Sequence, residues 1–180
     1  GFNAILTLLF VHTLIWGVWY IYMPVYLASQ GMTTSLIGLI IFGYWMVSAV
    51  TQYHMGKLMD RVPAKWIIVP AFFLVWIGGL FFTRVSGFVS ALINRSVMSF
   101  GFDAGWWPAI TELSRILPRQ FHGAGFSLQA GAAAIAFAVA SVLGGIFADK
   151  FGILPVLIVS SRLALIVALV IAPTKLFEEI

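Results

Sequence analysis

Gly56-Lys57-Leu58-Met59-Asp60-Arg61-Val62-Pro63-Ala64-Lys65 is the first charged stretch of this chain. Residues 1–56 contain no Asp, Glu, Lys or Arg. Three cations and one anion then fall between Lys57 and Lys65, and the sequence turns apolar again at Trp66. A short basic turn between two long apolar runs is the pattern of a cytoplasmic connection between membrane helices.

Composition agrees. The chain is 62% hydrophobic and 9% charged, with a mean hydropathy of +1.05. Soluble domains carry about 25% charged residues, so a water-facing surface cannot be built from this sequence. There is no cysteine, which excludes disulfides and thiolate metal sites. The net charge of +4 is accounted for by loops and gives no reason to expect nucleic acid. The first apolar run is too long for a signal peptide and lacks a basic leader. The chain begins at Gly1 and not Met, as expected of a piece of a longer protein.

Charges and turn residues divide the sequence into six apolar runs, at about 4–28, 34–55, 66–83, 88–111, 123–147 and 153–173. Each is long enough for a helix across about 30 Å of hydrocarbon, and open strands cannot cross a bilayer. The connections between them (29–33, 56–65, 84–87, 112–122 and 148–152) leave no room for a soluble domain. If 29–33 lies outside, the inner side holds Lys57, Arg61, Lys65, Arg115, Arg119 and Lys175, against Arg84 and Lys150 outside. This asymmetry places both termini in the cytoplasm and predicts a multi-pass protein of the plasma or inner membrane.

The organising loop has a second copy. Gly145, three residues, Asp149 and then Lys150 repeat the order Gly56, three residues, Asp60 and then Arg61, about half the chain length further on. The first copy lies between helices 2 and 3 and the second between helices 5 and 6, on opposite faces of a six-helix chain. That is the signature of two three-helix units of inverted topology, about 1–85 and 86–180.

Gly56, Asp60 and Arg61, followed by a basic residue at Lys65, resemble the loop between the second and third helices of major facilitator superfamily (MFS) transporters. Arg95, Gly101, Gly105 and Pro108 are similar to that family's fourth-helix pattern of Arg, small residues and Pro. The run from Glu112 through Pro118 and Arg119 to Gly123 resembles its loop into helix 5. Pro63 and Ala64 stand where the family loop usually has Gly and Arg, giving a stiffer turn with one cation fewer. His122 stands where an Arg is usual. Ala140-Ser141 replaces the Gly-Pro of the antiporter pattern, so the resemblance implies symport or uniport. It further implies an all-α membrane protein of six transmembrane helices, a 3+3 inverted repeat forming one MFS half-bundle over 1–180. A second six-helix half, in the same chain or as a homodimer, would complete a cavity that works by alternating access. Asp60 and Arg61 would then form a conformational latch, Asp60 meeting a helix N-terminus or a basic residue. The alternative is an ordinary solvated loop that only sets topology.

Charges inside apolar runs are the other signal. Asp103 lies within helix 4, where an ionised carboxylate costs at least ~2.5 kcal/mol at the bilayer centre. Arg95, Ser99 and Asp103 recur at i, i+4 and i+8 and share a helix face with Trp106 or Trp107. That face should line a solvated cavity, with Asp103 binding a proton or a cationic group and Arg95 an anionic one. About 12 Å of rise separates Arg95 from Asp103, too far for a direct bridge along the helix. A buried structural ion pair, Asp103 with Arg162 turned inward from helix 6, is the competing reading. His12, Trp16, Trp19 or Tyr20, and Met23 make a similar stripe on helix 1. There His12 could carry a coupling proton or serve as a structural hydrogen-bonding residue. Trp16 suits a substrate wall, and Tyr20, Tyr22 and Tyr26 suit an interfacial belt.

Enzyme signatures are poor. No Gly-x-Ser-x-Gly elbow and no phosphate-binding loop occurs, and His12, His54 and His122 lack the spacing of a metal site. No cofactor is expected. The sequence therefore reads as a secondary transporter of a small organic solute, or half of one, in a lipid bilayer. A six-helix structural or assembly subunit without transport is the second reading.

Overall fold

The computed structural model describes residues 1–174 and residue 177. Six long helices follow one another: α1 (Phe2–Ser29), α2 (Thr34–Met59), α3 (Lys65–Phe82), α4 (Phe88–Ile116), α5 (His122–Phe151) and α6 (Ile153–Ile171). A 3-10 turn, Arg119–Phe121, precedes α5, and no strand occurs among the described residues. Five of the six are long and apolar enough to cross a membrane. The exception, α4, carries Arg95, Asp103, Glu112 and Arg115, of which the first three are buried inside the bundle. Large side chains such as Phe42, Tyr53, Val89 and Ile135 stand exposed on the outside. In hydrocarbon such a surface needs no cover.

The chain turns where the residues require it. Gly31 takes φ +83, which an L side chain rarely adopts, and Thr33 then caps α2 by accepting from the Leu36 amide at 3.4 Å. Leu117 is held extended by the proline that follows it, which ends α4. The α5–α6 connection corrects an expectation. Residues 148–151 are not a loop; α5 continues to Phe151 and only Gly152, at φ +88, breaks the helix. Asp149 and Lys150 therefore ride on the last turn of α5, where a helix end exposes side chains as well as a loop does.

Packing follows a symmetric scheme. α4 packs against α2 and α3, and α1 packs against α5 and α6. α1 also meets α4, and α3 meets α6. Exchanging α1, α2, α3 for α4, α5, α6 maps these contacts onto one another. Small residues permit the close crossings. A Cβ on Gly101 would meet the Ala71 carbonyl oxygen of α3 at 3.1 Å, and one on Gly105 would meet His12 of α1 at 3.3 Å. On α5, buried Ala136, Ala140 and Gly144 recur every fourth residue, while Gly131 has open space around it.

One end of the bundle is basic. The Arg115 guanidinium forms an ion pair with Glu112 at 2.7 Å and donates to the Met59 carbonyl at 3.4 Å, tying α4 to the end of α2. Buried Lys65 donates from Nζ to the Thr174 carbonyl, and its backbone N–H donates to the Phe177 carbonyl at 3.4 Å. The start of α3 and the segment after α6 thus meet at the end that also carries Lys57 and Arg61. Lys175, counted above among the basic residues of this side, lies outside the described residues.

Candidate functional site

The charged face of α4 is turned inward, against α2. Ser99 Oγ donates to the Tyr44 carbonyl at 2.9 Å. The Arg95 guanidinium, in a residue 3% exposed, sits 4.2 Å from the centre of the Tyr44 ring and 5.7 Å from that of Phe102. This cation–π arrangement spares a buried cation some of its desolvation cost. Arg95 Nη1 has no hydrogen-bond partner, and the void beside it, bordered by Tyr20 and Tyr44, is about 10 Å³. That space is about one water molecule, so Arg95 is enclosed.

Asp103, two turns further along α4, opens instead onto a cavity of about 270 Å³ shared by α1, α2 and α4. Its walls include His12 and Trp16 from α1, Tyr44, Ser48 and Gln52 from α2, and Trp106 and Trp107 beside Asp103 itself. Ala133 of α5 touches one side. Asp103 is 8% exposed, and the Ser48 hydroxyl and the Trp107 indole N–H stand beside its carboxylate.

His12 fixes the α1 wall. Its Nε2 lies 2.9 Å from the Phe102 carbonyl, and a carbonyl only accepts, so Nε2 carries the proton. Phe72, Phe102 and Trp106 surround the ring at centroid distances of 5.7, 5.7 and 5.3 Å, and Nδ1 is left without a partner. Trp16 donates to the Tyr44 hydroxyl at 2.7 Å and stacks on Tyr20 at 4.9 Å. Gln52 Nε2 donates to Ser48 Oγ at 3.1 Å.

The structure therefore brings His12, Trp16 and Asp103 to one cavity and leaves Arg95 behind Tyr44. Arg162 joins neither. It is exposed on the outer side of α6 and pairs with no carboxylate among the described residues, so the inward Asp103–Arg162 pair is not formed. Its neighbour Ser161 takes the interior position, accepting from the Trp19 indole at 3.1 Å. The belt assigned to the tyrosines also changes: Tyr22 donates to the Ser141 carbonyl of α5, and Tyr26 packs against Phe82. Tyr44, Ser48 and Gln52 were missed. As uncharged residues of an apolar run they raise no alarm, but their i, i+4, i+8 spacing marks one polar row.

The two motif copies serve different ends. Gly56 lies in the last turn of α2 with open space around it, Asp60 is the C-cap, and Asp60 and Arg61 are exposed without an ion pair among the described residues. A Cβ on Gly145 would meet the Tyr22 hydroxyl at 3.2 Å, so this glycine serves the α1–α5 contact. Asp149 and Lys150 are exposed.

A bundle of membrane-spanning helices with polar residues gathered around an internal cavity defines the class: a polytopic membrane protein. The chain belongs to the Major Facilitator Superfamily, whose family model matches residues 5–179. It is 30% identical over 132 residues to an uncharacterized MFS-type transporter of Methanocaldococcus jannaschii, covering 73% of this chain and 34% of that protein. It is 29% identical to the inner membrane transport protein YajR of Escherichia coli, covering 71% and 28%. It is 26% identical to the lincomycin resistance protein LmrB of Bacillus subtilis, covering 68% and 28%. The chain spans about a third of the length of the curated relatives it matches.

Proposed function

We propose that this chain is one six-helix half of a secondary active transporter that moves a small organic solute by alternating access. The observation that carries the proposal is the convergence of His12, Trp16 and Asp103 on one internal cavity. A carboxylate inside an apolar run is costly, and a structural subunit would have no use for one on a cavity wall. At about 270 Å³ the cavity falls just short of the ~300–1,000 Å³ usual for ligand sites, as suits a wall completed by a second half. That half belongs to the same chain or to a second copy.

The symmetric helix pairing supports two units, about 1–85 and 86–180, related as an inverted repeat. The gathering of Lys57, Arg61, Lys65 and Arg115 at one end supports a cytoplasmic position for that end and for both termini, in a plasma or inner membrane. Asp60 and Arg61, exposed and without an ion pair among the described residues, are suited to latch against the other half in one of the two states. Asp103 and His12 are the groups in the cavity able to carry a coupling proton.

The test is solute flux in proteoliposomes made with the full-length protein, with and without a proton gradient, beside Asp103→Asn and Asp60→Asn. Loss of coupled flux in Asp103→Asn, with the fold intact, is the expected result. Asp60→Asn is expected to slow turnover while leaving solute affinity within about twofold, because a latch biases states and does not touch solute. Unchanged flux in Asp103→Asn would make Asp103 a structural residue of the bundle, and no flux of any solute would favour the structural reading.

A further inference from the structure

The polar groups of the cavity are unevenly distributed by charge. Asp103 is the one formally charged side chain on its wall when His12 is neutral. The nearest cation on the same helix, Arg95, does not line the cavity and forms no ion pair with Asp103, because its guanidinium is stacked on Tyr44. His12 Nδ1, once Nε2 has donated to Phe102, is an acceptor without a partner, and the Trp107 indole N–H is directed at the Asp103 carboxylate. Around them stand the indoles of Trp16, Trp106 and Trp107 and the ring of Phe102. Aromatic faces attract cations, and a buried carboxylate with no cation beside it on the wall repels anions and is stabilised by a cation. An anionic solute would find hydroxyl and amide donors on Tyr44, Ser48 and Gln52 but no cation on the wall.

From this we infer that the solute taken by this cavity is a small organic cation, an amine or quaternary ammonium with an apolar or aromatic body. Its positive group sits at Asp103 and its body lies against Trp16 and Trp106. The inference rests on the transport reading above and assigns its substrate class. Ser48, bonded to Gln52, lies beside the carboxylate and closes the α2 side of the binding position. The recognised feature is the charge and not one particular head group, since Asp103 is the one formal charge on the wall.

Four of the chain's seven tryptophans, Trp16, Trp45, Trp106 and Trp107, line the cavity, so intrinsic fluorescence reports occupancy directly. Three probes of matched shape separate the classes: methylphenylpyridinium, neutral phenylpyridine at alkaline pH, and biphenylcarboxylate. Each is titrated into the full-length protein in detergent and offered to proteoliposomes. The expected result is saturable quenching and flux for the cation alone. Asp103→Asn should weaken the cation by at least about 30-fold, and Asp103→Glu should recover most of that loss. Thermal stability of both variants shows whether the fold is kept, and Trp16→Phe supplies a variant that leaves the carboxylate in place. Equal binding of the neutral or anionic probe, or full cation affinity in a folded Asp103→Asn, overturns the cation assignment. Flux of whichever probe does bind then leaves the transport reading standing. Absence of binding and flux for all three overturns both.

Discussion

Gly101 and Gly131 are both helical glycines with opposite surroundings. At Gly101 an added Cβ would press on the Ala71 carbonyl oxygen, which is backbone and cannot swing away. Gly101→Ala should therefore destabilise the protein by about 1–3 kcal/mol, read as a lower melting temperature in detergent. At Gly131 nothing lies within 4 Å, and Ala is the better helix former. Gly131→Ala should be neutral or gain up to about 1 kcal/mol in the same assay. Tyr44 is the residue on which most of the site depends. Its ring carries Arg95, its hydroxyl accepts from Trp16, and its carbonyl accepts from Ser99. Tyr44→Phe keeps the ring and strands the Trp16 indole, at a cost of about 1–3 kcal/mol. Tyr44→Ala should cost more than Tyr44→Phe, because it also strips the cover from a buried guanidinium.

At the scale of elements, Arg115 joins α4 to the end of α2, and Glu112 beside it is buried. Arg115→Ala leaves that carboxylate without its cation. The double variant Arg115→Ala/Glu112→Gln should be more stable than Arg115→Ala alone by about 1 kcal/mol in thermal unfolding. Helix positions were legible in the sequence because the punctuation is physical: Gly31, Pro63, Pro118 and Gly152 all mark real turns. The end of α5 was less legible, since Asp149 and Lys150 are as well solvated on a last helical turn as in a loop. Asp103 and His12 were legible because a polar group in an apolar run is costly and needs a reason. The α2 wall was not. Tyr44 and Ser48 sit comfortably in a membrane helix, and only the packing of α2 on α4 turns them into part of a site. Arg162 misled for the opposite reason: a charge in mid-helix suggests an interior partner, and the register of α6 turned it outward instead.

For the whole molecule, the consequence of that register reaches the bilayer itself. Arg162 is exposed on a face that also shows Val159, Ile166 and Leu169, near the middle of a 19-residue helix. About 14 Å of helix separates it from either end, more than its side chain can easily reach. Where that face meets lipid, water and headgroup phosphates would have to come inward to reach it, pinching the membrane beside α6. Thicker bilayers resist such a pinch. Proteoliposomes of increasing acyl-chain length should therefore lower flux in the wild type more steeply than in Arg162→Leu. Equal slopes would mean that this cation leaves the lipid undisturbed. A single outward-facing guanidinium would in this way tune the protein to thin or fluid regions of membrane.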